Sequence, residues 1–323
     1  MDELDQISGE IVSVYGGSTA TGKPPVHFCV LHDAFMPWDT AIREESSDKI
    51  ESCVAPYAGD LVRLYFKHVH PVYSVLSKTR FLRAFKYEKL SLPASLRGVV
   101  YGLAAVFWDQ DDTLKSVPRP FEQYQLFHAA QASLERELDA PNMWKLQACL
   151  LMLHEQPASN HTFQTPRTWT LSAQAVACAQ MIGLHRDPTD WNLEPWEKAL
   201  RKKLWWATYM TDAWASVSHG NPPHIYPQSY TTTNASIDDL RMDEDVPDDL
   251  LDLVEPQDSY FNVSTAARFV ENVQLTQILH NLLDTSFSDR SYQIGRTDPL
   301  ELEGRLGRLL RELEDWRSLI RAV

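Results

Sequence analysis

Helical periodicity of apolar positions dominates this chain from residue 56 onward. Segments 60–68, 96–108, 121–138, 143–154 and 170–183 repeat apolar residues at steps of three and four, the spacing that gathers them on one face of an α-helix. Proline-rich stretches such as Val117-Pro118-Arg119-Pro120 and Ala140-Pro141-Asn142 separate them, because proline does not continue a helix and disfavours helical backbone in the residue before it. There is no repeat of fixed period. Residues 1–55 lack this pattern: 12–15 read as a short strand, and a Gly/Ser/Thr/Pro stretch follows at 16–25. The predicted class is all-α, a multi-helix domain behind a short irregular N-terminal segment. Its expected divisions are 1–55 as a linker, 56–285 as the main domain, and 286–323 as a loop and an amphipathic C-terminal helix.

The segment from Trp169 to Ile225 can be read residue by residue. Leu171, Ala175, Cys178 and Ile182 form one stripe, Gly183 is placed to end that helix in the left-handed conformation, and Leu184 is placed to fold back on it. Asp187-Pro188 completes the stop. The next helix is expected to start at an Asn192 N-cap, with Pro195 in its first turn and Glu194 and Glu197 near its positive end. Trp196, Leu200, Leu204 and Ala207 make one apolar stripe and Trp205, Tyr209 and Ala213 a second, which predicts a central helix covered on nearly every side. Asp212 lies within that apolar context and cannot stay charged and buried alone, so it needs a partner, with Arg186 or His185 expected. Near the end, Leu302, Leu306, Leu309, Leu313, Trp316 and Ile320 form a stripe that either packs back on 56–285 or meets a surface outside it.

Composition narrows the function classes. The chain has 323 residues, 44% of them hydrophobic, enough for a sizeable core. Its 44 acidic against 30 basic residues give a net charge of −14, which repels a phosphate backbone. No apolar run approaches the ~20 residues of a membrane span, and the first residues are acidic where a signal peptide is basic, so a soluble, intracellular protein is expected. Cys29, Cys53, Cys149 and Cys178 stand singly, without metal-ligand spacing, and three N-x-[ST] sites (Asn160, Asn234, Asn262) read as chance.

Several motifs imitate chemistry. His185-Arg186-Asp187 followed by Asn192 has the spacing of a kinase catalytic loop, but the remaining kinase motifs are missing and helix stop signals explain the residues. Residues 17–23 fit a phosphate-binding loop up to its last position, where Pro24 replaces the hydroxyl that would hold Mg²⁺. Asp238-Asp239 and Asp243-Glu244-Asp245 could hold Mg²⁺ in a helical enzyme, yet their polar, proline-bounded context predicts a solvated acidic loop. His68 and His70 read as structural, and Trp108, Trp169 and Trp205 either fill the core or line a small-molecule pocket. No catalytic residue, cofactor site or metal ligand is assigned, and the chain is not expected to be an enzyme.

Taken together, Gly183-Leu184-His185-Arg186-Asp187-Pro188, Trp196-Glu197, Arg201-Lys202-Lys203-Leu204-Trp205-Trp206, Asp212-Ala213-Trp214-Ala215-Ser216 and Gly220-Asn221-Pro222-Pro223-His224-Ile225 resemble the middle homology region of fungal zinc-cluster transcription factors. Tyr65-Phe66-Lys67-His68-Val69-His70-Pro71-Val72-Tyr73 with Val75-Leu76-Ser77-Lys78, and Leu146-Gln147-Ala148-Cys149-Leu150-Leu151, are similar to its opening segment and its glutamine-containing helix. The Trp196-Glu197-Lys198 and His219-Gly220-Asn221-Pro222 details resemble the branch of co-activators that controls nitrogen-source catabolism. The family's six-cysteine zinc cluster is absent here, and Asn221 stands where the family often has arginine.

The resemblance implies a nuclear regulatory domain that acts by intramolecular inhibition, effector sensing or partner docking. Its implied partners are transcriptional machinery or co-regulator proteins, with a small-molecule effector and a homodimer as further options. Zinc and DNA would enter only through a DNA-binding segment not present in this sequence. A DNA-independent helical co-regulator or scaffold is the alternative, with an α-helical enzyme behind it.

Overall fold

The computed structural model describes residues 10–15, 26–30, 37–138, 140–155, 166–287, 293 and 298–321. The phosphate-loop-like residues 17–23 and Asn160 lie outside them. An antiparallel hairpin comes first, β1 (Glu10–Tyr15) on β2 (Val26–Val30), with Ile11 opposite Cys29 and Val12 opposite Phe28. The rest is helical: α1 (Pro37–Val54), α2 (Ala58–Leu64), α3 (Lys78–Tyr87), α4 (Ala94–Ala104), α5 (Gln123–Glu137), α6 (Met143–Met152), α7 (Pro166–Met181), α8 (Pro195–His219), α9 (Ile237–Arg241), α10 (Val263–Phe287) and α11 (Pro299–Arg321). The all-α expectation holds for residues 56 onward. None of the helices among the described residues is long and apolar enough to cross a membrane.

Helix α1 departs from the irregular segment expected at 1–55. Its apolar residues are too sparse to show a stripe, and Ile50 and Val54 are what bury it. Buried polar contacts add to them: Arg97, itself enclosed, donates to the Glu51 carboxylate and, at 2.7 Å, to Ser47 Oγ. Burial works against ionising Glu51, but Lys89 and Arg97 outweigh it and lower its pKa.

Helix α4 is buried along its whole length, against α5, α6 and α2. Two glycines allow α5 to come this close. A Cβ at Gly102 would lie 2.8 Å from a Phe127 ring carbon, and one at Gly98 would lie 3.0 Å from Ala130 Cβ. Gly102→Ala is therefore expected to destabilise by about 1–3 kcal/mol through overpacking, although alanine favours a helix. Urea unfolding checks this, and an unchanged or raised midpoint would show that Phe127 simply moves aside.

Helix α8 is the central element. Residues 203–209 are buried without interruption, as its two stripes predict, and α6, α7, α9 and α10 surround it. Its start differs from the Asn192 cap read in the sequence: Glu194 is the N-cap, extended at φ −62° and ψ 146°, and Pro195 follows it. Proline forces the preceding residue out of helical backbone, so the helix cannot begin before Pro195 and Asn192 stays outside it. Helix α11 packs on α10, and Trp316 Nε1 donates to the Glu271 carbonyl at 3.1 Å. The terminal helix thus folds back on α10, with Leu302, Leu309, Trp316 and Ile320 partly covered and Leu306 and Leu313 38% and 39% exposed.

Candidate functional site

The residues singled out in the sequence gather along α8 as a set of clamps. Gly183 takes φ +77°, its N–H reaches the Gln180 carbonyl at 3.0 Å, and the Leu184 N–H reaches that of Ala179 at 2.9 Å. This is the Schellman closure expected from the local sequence, with Leu184 fully buried. The chain beyond it is tied to a distant segment. Thr231 N donates to the His185 carbonyl at 2.8 Å, Thr232 Oγ1 to that of Leu184 at 2.6 Å, and Thr233 N to the Asp187 carboxylate at 2.7 Å. Burial disfavours ionised Asp187, but hydrogen bonds from Thr189 and Thr233 prevail and hold its pKa at about 2. Arg186 and Asn192 are exposed and Pro188 is buried. Asp187 thus accepts three hydrogen bonds, from the Thr189 N–H and from the N–H and hydroxyl of Thr233, and ties the end of α7 to the 231–233 segment.

Arg201 pairs with Glu197 at 2.8 Å and donates to the Ile182 carbonyl at 2.9 Å, fastening α8 to the end of α7. Trp196 lies under the Arg80 guanidinium at 3.2 Å, and Trp206 Nε1 donates to the Thr233 carbonyl at 2.9 Å. Trp205 is fully buried beside Tyr230. Gly220, at φ +68°, ends α8, Pro222 is exposed, and Ile225 is buried. Asp212 is fully buried, but neither Arg186 nor His185 is its partner. It accepts from His224 Nδ1 at 2.7 Å and the Ile225 N–H at 2.8 Å, with Ser172 Oγ at 3.5 Å. Arg186 points to water, and a turn only a dozen residues on supplies the donors.

A buried polar cluster was not legible in the sequence. Glu244, expected in a solvated acidic loop, is 5% exposed and accepts from His70 Nε2 at 2.9 Å and Lys203 Nζ at 3.0 Å, with Lys78 Nζ 3.6 Å away. Burial opposes its charge, but the lysines and His70 prevail and hold its pKa at about 2. Burial lowers the His70 pKa from its ordinary value, despite the neighbouring Glu244. The flanking acids are also structural: Asp243 accepts from Ser77 Oγ at 3.0 Å and Arg80 Nε at 2.7 Å, and Asp245 from the Phe261 N–H at 2.8 Å. The signal available in sequence was Lys203, a cation three residues after Leu200 on an apolar stripe. His68 stacks on Phe107, apart from this cluster.

The residues do not fit a zinc cluster. Cys149 and Cys178 are buried thiols whose pKa burial pushes up, Cys178 to about 12, and among the described residues no three His, Cys, Asp or Glu side chains come together as a metal site.

A cavity of about 410 Å³ lies between α8, α10, the turn at 71–75, the end of α6 and the start of α7. Met210, Phe269, Leu153 and Ala215 give it apolar walls, and Tyr73 and Trp214, 38% and 49% exposed, stand at it. Tyr73 stacks on His154 with centroids 3.5 Å apart, and burial brings that imidazole down to a pKa of about 4, so it is neutral at physiological pH. None of the tryptophans considered from the sequence lines it. Trp108 and Trp205 fill the core, and Trp169 packs against His224 in a tilted arrangement with centroids 4.1 Å apart. The lining tryptophan is Trp214, which lies off both apolar stripes of α8.

Comparison with known proteins gives a family described as "Fungal specific transcription factor domain", matching residues 62–318. An uncharacterized transcriptional regulatory protein of Schizosaccharomyces pombe is 26% identical over 260 residues, covering 80% of this chain and 36% of the relative. The transcriptional activator protein DAL81 of Saccharomyces cerevisiae is 30% identical over 203 residues, covering 63% of this chain and 20% of its own length. An acetamidase regulatory protein of Aspergillus oryzae is 23% identical over 169 residues, 52% of this chain and 21% of that protein. No solved structure matches.

Proposed function

Because this chain belongs to the fungal specific transcription factor domain family, we propose that it governs a transcription regulator by taking up a small-molecule effector between α8 and α10. The family supplies the regulatory role; the sensing mechanism is our reading. The cavity carries it: about 410 Å³, within the range of small-ligand sites, with apolar walls, exposed aromatic side chains and a few polar groups. A ligand there would stabilise one packing of α10 on α8, and can shift the domain between states only by the difference in its affinity for them.

The domain is proposed to work in the nucleus with transcriptional machinery or co-regulator proteins, without catalysis, and to meet DNA only through a zinc-cluster segment outside this sequence. The relatives' names, an acetamidase regulator among them, support the nitrogen-catabolism branch. Thr211, half-buried on α8 and lining the cavity, gives a test, because Thr211→Trp fills the space. In the source fungus, that variant should fold but no longer change transcript levels between growth conditions that the unaltered protein distinguishes. A folded variant with an unaltered transcript response would favour the passive scaffold.

A further inference from the structure

We propose that the ligand of this cavity is a small monocarboxylate with an apolar body, its carboxylate held by Arg268; this rests on the sensing role proposed above. Arg268 is the one charged residue among the described residues that line the space, and no Asp or Glu lines it. That is unexpected in a chain with 44 acidic and 30 basic residues. Several other arginines find carboxylates: Arg63 with Asp60, Arg80 with Asp243, Arg97 with Glu51, Arg201 with Glu197. The Arg268 side chain, exposed on α10, makes no ion pair or hydrogen bond among the described residues.

The chemistry of the wall selects the ligand class. A guanidinium presents paired N–H donors that match a carboxylate, and such a bond gains strength beside apolar surface. A cationic ligand would meet Arg268 and no counter-charge. A dicarboxylate or phosphate dianion would leave its second charge uncompensated, since His154 is neutral. An uncharged apolar molecule would fill the walls but leave the guanidinium unused. Glu244, a buried acid of the adjoining pocket that shares Pro71, Ser74, Thr265 and Phe269 with this one, is already engaged by Lys203 and His70, and Asp212 by His224 and Ile225.

The test is calorimetric titration of the 323-residue chain at pH 7.4 with hexanoate, octanoate and 3-phenylpropanoate, each beside its primary amide. At least one acid should bind about tenfold tighter than its amide, ~1.4 kcal/mol, and Arg268→Gln should erase that difference while Thr211→Trp removes binding of both. Because Arg268 is exposed, the glutamine variant should fold normally, and Arg268→Lys should retain part of the preference. Amides that bind as tightly as their acids, or an acid preference that survives Arg268→Gln, would overturn the carboxylate assignment and leave the cavity as an effector site. If no acid binds, the assignment fails on its own, and the transcript response of Thr211→Trp still decides the sensing role.

Discussion

Glu244→Ala is expected to lower the unfolding free energy by about 3–5 kcal/mol at pH 7, because it leaves the buried cations of Lys203 and Lys78 facing each other without their counter-charge. Lys203 would keep only its bond to the Leu76 carbonyl at 2.9 Å, and Lys78 its bond to the Asp258 carbonyl at 3.0 Å. Glu244→Gln should lose nearly as much, since the amide restores shape and one acceptor but not the charge.

The pH dependence has a fixed sign. Folding lowers the Glu244 pKa from 4.5 to about 2, so its contribution is fully present above 4.5 and is lost as pH falls toward 2. His70, lowered from 6.5, acts in the same direction, because the unfolded chain takes up its proton first on acidification. Urea unfolding of wild type and Glu244→Ala should therefore show a stability gap that is widest above pH 5 and narrows below 4.5. A gap under ~0.5 kcal/mol, or one that does not change with pH, would mean the cluster does not hold the fold.

Local and long-range polar contacts in this chain differ in how readily sequence reveals them. Gly183-Leu184 could be read because the Schellman closure lies within one turn of its own helix and depends only on a left-handed glycine and an apolar residue after it. Glu244 could not, because its neighbours Met242, Asp243, Asp245 and Pro247 describe a solvated loop while its partners lie 174 residues away at His70 and 41 away at Lys203. The cavity was hidden for the same reason, as segments far apart in sequence contribute its walls and no local pattern shows that Pro71, Trp214 and Arg268 meet. Asn192 misled in a different way. It is a good N-cap by type, but the backbone restriction that Pro195 places on Glu194 decides where the helix starts.

Asp212 joins the two halves of the site, and Asp212→Ala is expected to cost about 3 kcal/mol. The carboxylate is fully buried and accepts from both His224 Nδ1 and the Ile225 N–H, so truncation strands a buried backbone donor and leaves a gap beside α8. Asp212→Asn should lose closer to ~1 kcal/mol, because its side-chain carbonyl can still accept from the Ile225 N–H and the space beside α8 stays filled. The damage should travel. The Ile225 carbonyl accepts from His280 Nε2 of α10 at 2.8 Å, so the turn that Asp212 holds also anchors the helix that carries Arg268. Hydrogen exchange of Asp212→Ala should accordingly show lost protection in α10 around Thr276 and His280 as well as at Ile225. A stability loss below ~0.5 kcal/mol would mean that the turn holds itself, and a loss confined to Ile225 with α10 still protected would mean that α10 is fixed by its own packing and does not sense the clamp.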